Sequence, residues 1–444
     1  MKGSVYIETF GCQMNVSDSE RAAAGIRSAG YSLTASMEEA DVVIFNTCSI
    51  RAKAEQKVFN RIGEVRSRRG ARQPLIGLMG CVAQLEGDEI FKHAPSVRFV
   101  AGTGAVERLP ALIGRAQDGQ KRLLDIGGRE PETEAVFPLG ERHSEYVAFV
   151  PIIEGCNKFC TYCIVPYSRG RERSRPASKI LDDVRRLASE GYSEIHLIGQ
   201  NVNSYRPKVE DGLEGFKGGT PFSRLLRAVA STGFPRVKFT TSFPRDFHKD
   251  IVGAIEEHEN LCNWVHLPVQ SGNDRVLRAM RRGYKAADYL EKVEAVKGAK
   301  RSISLTSDLI VGFPGETEQE FEDTLTLVER CQFDGLYIFK YSERPGTPAS
   351  KLADDVTEEE KTRRFITLER LQMSIQRHLY GALVGSEVKV LVEGVSAKSS
   401  EDWTGHTTCH KVVNFRGSVE LLGKIVPVRI THAKEHSLYG ELAD

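Results

Sequence analysis

The sequence predicts a three-part chain of the α/β class: an N-terminal open parallel α/β domain, a central partial (βα)6 barrel and a small C-terminal antiparallel β-barrel. Three observations carry this. Short apolar strands alternate with longer amphipathic stretches over the first ~115 residues and again from Tyr146, the pattern of parallel sheets covered by helices. A Gly-, Pro- and charge-rich linker over about 116–145, including 127–131, separates the two runs. After Gly385 the pattern changes to short alternating strands broken by glycine, which suits a small barrel. At 444 residues the chain exceeds one ordinary core. Domains are expected over 1–118, 142–375 and 378–444.

In the first domain, strands are expected over 5–10, 41–46, 74–79 and 97–100, with helices over 17–29 and 49–70. Cys12, Cys48 and Cys81 each follow one of these strands, in TFGC, FNTC and LMGC. In an open parallel sheet the strands' carboxyl ends share one edge, where ligands bind. Each cysteine alone suits a small buried side chain. Three at equivalent strand ends favour a shared metal site.

The central part has expected strands over 148–153, 194–198, 237–241, 264–269, 304–311 and 336–341. Helices fall between them, for example over 179–190, 222–231 and 319–331, and a long polar helix follows over 357–380. Such a barrel works at the carboxyl ends of its strands. The tail strands are read in SEVKVLVEGV, HKVVNF, SVELLGKIVPVRITHA and SLYGEL.

The formal charge is +1, from 61 Lys+Arg against 60 Asp+Glu, so a polyanion must be met by local patches. The opening MKGSVYIETFGC lacks the basic and apolar regions of a signal peptide, and no long apolar run suggests a membrane span. Nine cysteines in such a chain argue for reduced thiols in a cytoplasmic setting.

Three of the nine sit within eight residues, Cys156, Cys160 and Cys163, just after the first barrel strand. A closed zinc site or an ordinary iron–sulfur cluster takes four protein ligands. Three thiolates with no fourth nearby leave one metal position open, and zinc is further disfavoured by the βα context. C-x3-C-x2-C after the first strand of a βα barrel, with Tyr162 before the last cysteine, resembles the radical S-adenosylmethionine superfamily. TFGCQMN around Cys12, GCNKFCTYCIVPYSRGRERSRP and VVNF in the tail resemble, more narrowly, the tRNA methylthiotransferases of the MiaB type. The match covers nearly the whole chain.

That resemblance implies insertion of sulfur and methyl at carbon 2 of an isopentenylated adenosine beside the tRNA anticodon. It implies two [4Fe–4S] clusters, one on Cys156, Cys160 and Cys163 and one on Cys12, Cys48 and Cys81. One S-adenosylmethionine would be methyl donor, a second the source of a 5′-deoxyadenosyl radical. The tail would be a TRAM-like RNA-binding barrel. Partners would be the tRNA anticodon stem-loop, an electron donor such as flavodoxin or ferredoxin, and an iron–sulfur or sulfur-supplying protein; the chain would act as a monomer in the cytoplasm. Gly199, Gln200 and Asn201 match the place where the superfamily holds the methionine amine. Ser242, Gln270, Asp308, Gly312 and Glu316 lie at or near later strand ends and are further candidates for S-adenosylmethionine.

Phosphate contacts need Arg and Lys. Three clusters offer them: Arg51, Lys53, Lys57, Arg61, Arg66, Arg68, Arg69 and Arg72; Arg169, Arg171, Arg173 and Arg175; and Arg275, Arg278, Arg281, Arg282 and Lys285. Arg282 and Arg344 could each reach substrate or merely solvent. Cys262, Cys331 and Cys409 read as plain buried thiols. The nearest alternative is a sister methylthiotransferase acting on threonylcarbamoyl-adenosine in tRNA or on a ribosomal-protein aspartate. Those relatives differ around Gln13, Met14 and Asn15. A non-catalytic RNA-binding protein with structural metal, and a ferredoxin-like carrier, are the readings from other classes.

Overall fold

The fold is described from a computed structural model, for residues 2–49, 52–67, 73–127 and 142–443. The expected linker residues 128–141, the basic residues Arg51, Arg68, Arg69 and Arg72, and the side chain of Lys53 lie outside the described residues. The chain divides into two compact units. One comprises Met1–Ser144 with Glu154–Asn157 and Ile164–Glu172; the other comprises Glu145–Ile153, Lys158–Cys163 and Arg173–Asp444. No described helix is long and apolar enough to cross a membrane.

The first unit runs β1 (Ser4–Thr9), α1 (Gln13–Ser28), β2 (Ser32–Leu33), β3 (Val42–Thr47), α2 (Ala52–Ser67), β4 (Leu75–Gly80), α3 (Cys81–Glu86), α4 (Ile90–His93), β5 (Val97–Ala101), α5 (Leu109–Gln117) and β6 (Leu123–Asp125). Its sheet is parallel throughout, in the order β2-β1-β3-β4-β5-β6. Four strands were expected; the short edge strands β2 and β6 complete it. β6 uses residues expected in the linker. Successive residues of a strand face opposite sides, and both sides are covered. Val42 and Ile44 pack with Leu109, Leu112 and Ile113 on one face, while Val43 and Phe45 pack with Val58, Ile62 and Val65 on the other. The chain steps out from β1 to β2 and then returns past β1 to β3. The gap between β1 and β3 is therefore a topological switch point, the usual ligand site of such sheets.

The second unit carries β7 (Val147–Pro151), β8 (Ile153–Glu154, continuing into the first unit), β9 (Arg173–Ser174), α7 (Ala177–Ser189), β10 (Glu194–Ile198), α8 (Pro221–Ala230), β11 (Arg236–Phe239), α9 (Lys249–Glu257), β12 (Trp264–His266), α10 (Asp274–Ala279), α11 (Ala286–Lys297), β13 (Ser304–Val311), α12 (Glu318–Cys331), β14 (Gly335–Lys340) and α13 (Glu358–Gly381); α6 (Val165–Arg169) belongs to the first. The six barrel strands form two parallel triplets, β7-β10-β11 and β12-β13-β14. Val237 joins them, donating its N–H to the Asn260 carbonyl and accepting from Cys262, both at 2.8 Å. Alternate residues Ile195, Leu197, Val237, Val265, Leu305 and Leu309 pack under the helices. The opposite face is polar and aromatic: Glu194, His196, Arg236, Lys238, Trp264, His266, Asp308 and Tyr337 share it by register. Trp264 stacks on His266 with centroids 5.8 Å apart, and Lys238 lies 4.1 Å over Trp264.

The tail closes into a five-stranded barrel, β15 (Glu387–Val395), β16 (Asp402–Thr407), β17 (Val412–Arg416), β18 (Ile425–Ala433) and β19 (Leu438–Leu442), in the order β15-β16-β17-β19-β18. The expected antiparallel pairing holds except at closure, where β17 and β19 are parallel. Residues 419–421 form a helical turn instead of starting a strand. The barrel docks on the amino ends of the (βα) strands. Arg236 donates to the carbonyls of His406 (3.2 Å) and Thr407 (2.8 Å), and Lys411 reaches Asp334 and Ser304, both at 2.6 Å. His406 bridges Glu194 (3.0 Å) and Glu393 (3.0 Å). With Arg236 also 2.9 Å from Glu194, the buried Glu194, His196 and His406 form an ion-pair network in which a guanidinium already faces the carboxylate.

Candidate functional site: two cysteine triplets

In the first unit, β1, β3 and β4 are sheet neighbours. Their ends deliver Cys12 as the residue capping α1, Cys48, and Cys81 as the first residue of α3. Two of the three close approaches require glycine. Gly11 has φ +153°, and a Cβ there would lie 2.8 Å from the Cys48 Cβ. Gly80 has φ +98°, and a Cβ would lie 2.4 Å from Asn46 Oδ1 and 2.6 Å from the Thr47 carbonyl. Cys48 and Cys81 are buried while Cys12 is exposed, so the group is open on one side.

A buried amide network ties these ends together. Asn15 accepts from the Cys12 N–H (3.4 Å) and donates to Asn46 Oδ1 (3.0 Å) and the Thr47 carbonyl (3.1 Å). Asn46 donates back to the Asn15 carbonyl at 2.7 Å, and Thr47 Oγ1 donates to the Met79 carbonyl at 2.6 Å. Beside it, buried Arg169 donates to Asp18 at 2.8 Å. Burial opposes the charge of Arg169, but Asp18, Cys81 and Cys12 outweigh it. The buried Ser49 Oγ, next to Cys48, has no hydrogen-bond partner. Three convergent thiols, a buried cation and an orphaned hydroxyl fit an anionic iron–sulfur cluster.

The second triplet lies in one loop. The Cys156 N–H donates to the Gly170 carbonyl (3.1 Å), and the Cys163 N–H to the Cys160 carbonyl (3.0 Å). Thr161 pins the loop to the end of α10, through its N–H to Met280 (3.1 Å) and its hydroxyl to Ala279 (2.9 Å). Phe159 takes a left-handed φ of +48°. Arg282 is buried and donates to Cys160 Sγ at 3.4 Å and to the hydroxyl of Tyr162 at 3.3 Å. Burial pushes the Tyr162 hydroxyl up, so it stays a neutral acceptor.

The remaining candidates follow the carboxyl ends of barrel strands, except Asp308, which lies within β13. Gly199 packs so closely that a Cβ would lie 2.4 Å from Ile153 Cγ2, and Gln200 follows it at half-burial. Asn201 donates to Ser204 Oγ at 2.6 Å, while its Oδ1 and the Ser242 hydroxyl are buried without partners. Such unmatched polar atoms are costly unless a ligand meets them. Gln270 has φ +77° and links to β13 through the Asp308 carbonyl (2.9 Å). The Asp308 carboxylate is 3.4 Å from His266 Nε2. Glu316 accepts from the Gly312 N–H (2.6 Å) and pairs with Arg364 (2.9 Å), so its carboxylate braces the Gly312 turn. Burial raises its pKa, opposed by those two donors.

Several basic residues expected to face phosphate do not. Arg169 and Arg282 are buried. Arg61 pairs with Glu8 and Glu64, Arg175 with Asp183, and Arg275 with Glu320. Lys57, Arg66, Arg171, Arg278, Arg281 and Lys285 are exposed. Burial pushes the thiols of Cys262 and Cys331 up to about 11 and about 12, the condition of inert core cysteines. Sequence reasoning missed Asn15 and Asn46 as organisers, and Lys158 and Asp246, which pair beside Ser204.

Comparison with known proteins meets this geometry. Three family models match in succession: "Uncharacterized protein family UPF0004" over residues 4–102, the Radical SAM superfamily over 150–328 and the TRAM domain over 381–443. The tRNA-2-methylthio-N(6)-dimethylallyladenosine synthase of Solibacter usitatus is 45% identical over 99% of this chain and 97% of its own length. The synthase of the same name from Alkalilimnicola ehrlichii is 43% identical over 100% and 98%. This chain belongs to the tRNA-2-methylthio-N(6)-dimethylallyladenosine synthase family. Among solved structures, the radical S-adenosylmethionine methyltransferase TsrM from Kitasatospora setae shares the fold, with a TM-score of 0.57 at 13% identity, over 90% of this chain and 82% of that one. OxsB gives 0.53 at 11%, over 82% and 56%. As a synthase-family member with a radical SAM domain, the chain is an enzyme that uses S-adenosylmethionine and an iron–sulfur cluster.

Proposed function

We propose that this chain converts isopentenyladenosine next to the tRNA anticodon to its 2-methylthio derivative. Cys156, Cys160 and Cys163 hold the [4Fe–4S] cluster that binds S-adenosylmethionine, and Cys12, Cys48 and Cys81 hold a second. The observation that carries this reading is the N-terminal triplet, Cys12, Cys48 and Cys81, at a sheet's switch point beside a buried arginine. When bound, the clusters and S-adenosylmethionine supply one-electron chemistry, sulfur and methyl.

The chain's own residues do the rest. Tyr162, Gly199, Gln200, Asn201, Ser242, Gln270, Asp308 and Glu316 bind and orient S-adenosylmethionine, with Asn201 Oδ1 available to accept from it and Ser242 Oγ to accept from or donate to it. Tyr162 walls the loop, and Glu316 shapes the Gly312 turn. Lys57, Arg66, Arg171, Arg278, Arg281 and Lys285 meet phosphates of the anticodon stem-loop. Residues 1–118, 142–375 and 378–444 divide the work into sulfur donation, radical generation and RNA holding. A flavodoxin or ferredoxin supplies electrons, and a separate protein restores iron or sulfur. The enzyme acts as a cytoplasmic monomer.

Nucleoside mass spectrometry of tRNA from a deletion strain tests the substrate. The methylthio-isopentenyl nucleoside is expected to vanish and to return on complementation; its persistence would refute the assignment. Anaerobically purified chain should carry about eight irons, the content of two cubanes, whereas about four would remove the second cluster.

A further inference from the structure

Arg282 is 4% exposed, and each of its guanidinium nitrogens is placed. Nε donates to the Tyr284 hydroxyl (2.9 Å) and Nη2 to the Pro268 carbonyl (2.7 Å). Nη1 donates to Cys160 Sγ (3.4 Å) and the Tyr162 hydroxyl (3.3 Å). The Arg282 Cζ lies over the Phe243 ring, 4.4 Å from the centroid. A buried cation needs an anion nearby to offset lost hydration. Two of these partners are phenols, whose ordinary pKa is about 10, and one is a carbonyl; all are neutral at pH 7. The fourth is the sulfur of Cys160, which becomes a thiolate when it ligates a metal.

We infer that Arg282 is a positioning residue for the radical cluster, donating to one ligand sulfur and making that cluster easier to reduce. This role rests on Cys156, Cys160 and Cys163 holding that cluster. A hydrogen bond from a cation draws electron density from the sulfur. It thereby favours the more negative, reduced state, one of the ways proteins set cluster potentials. The other three contacts fix the guanidinium so that Nη1 meets the sulfur on a rigid arm.

The test is a redox titration of the full-length holoenzyme followed by electron paramagnetic resonance. The signal that changes on adding S-adenosylmethionine identifies the radical cluster. In Arg282→Met, the reduced-to-oxidised ratio of that cluster at a fixed potential is expected to fall about tenfold, a shift of about 59 mV for one electron. The N-terminal cluster in the same sample should not move. Arg282→Lys, which keeps the charge but loses the fork, should fall between. Either variant holding its cluster at the wild-type potential would overturn the inference. If Arg282→Met does not assemble the cluster, Arg282→Lys decides alone. A wild-type chain with no S-adenosylmethionine-sensitive signal would instead overturn the assignment of the triplet.

Discussion

The N-terminal triplet is assembled by a sheet, the radical triplet by a loop. Cys12, Cys48 and Cys81 follow three neighbouring strands on one sheet edge, where two glycines admit close backbone approach. Cys156, Cys160 and Cys163 are held within eight residues by the chain itself and pinned through Thr161. Their arginines differ accordingly. Arg282 donates to a cysteine sulfur, whereas buried Arg169 donates to Asp18. A sheet-built site should fail when the packing beneath it fails. A loop-built site should fail when one ligand is lost and otherwise endure.

The sharpest way to break this contrast is to remove one ligand from each. Cys160→Ala is expected to abolish 5′-deoxyadenosine formation and product together, read by chromatography of anaerobic reactions. Cys48→Ala should still release 5′-deoxyadenosine but form no methylthio product. Normal product from Cys48→Ala would leave the sheet-built site without a chemical role.

Asp18→Asn probes the support without touching a ligand. Removing one partner of a buried ion pair strands the other at a cost of about 3 kcal/mol. The expected outcome is a lower denaturation midpoint and loss of iron from the N-terminal site. The S-adenosylmethionine-sensitive signal should survive; its parallel loss would mean that the two sites share one support.

The smallest expected effect lies away from both triplets and serves as their control. Burial opposes the charge of His406, but Glu194 outweighs it, and its pKa is raised. The stability it adds is complete below the ordinary histidine value near 6.5 and is lost as pH climbs through the raised folded value, about 1 kcal/mol or less. His406→Gln should flatten that part of a urea-midpoint profile while leaving cluster content unchanged. A wild-type profile already flat there would contradict the His406–Glu194 pairing.

Much of this was readable from the residues, and the failures have physical causes. Cysteine spacing, strand–helix alternation and the glycine-broken tail expose the three parts, because metal ligation and core packing constrain which residues recur. The switch point was hidden because β2 is only two residues long, too short to show a period. β16 is hidden because Gly405 interrupts its pattern; a Cβ there would lie 2.0 Å from the Leu391 carbonyl, so the close β15–β16 pairing beside the bulge requires glycine. Arg169 and Arg282 were grouped with surface charge because a run of arginines does not reveal which ones turn inward. That depends on Asp18 for Arg169 and on Cys160 and Pro268 for Arg282, which lie elsewhere in the chain.

The tail barrel's docking has a consequence for traffic. Arg236 and Ser304 begin their strands, and Glu194 begins another; all three are buried beneath His406, Thr407 and Lys411. The lower end of the (βα) barrel is stoppered. The carboxyl ends of the strands, where Cys163, Ser242 and Gln270 lie, are the end away from the tail. A chain cut before Glu387 would uncork that end and bare Glu194, Arg236 and Asp334 to water. The tail is thus a structural floor of the reaction chamber as well as a domain that follows it.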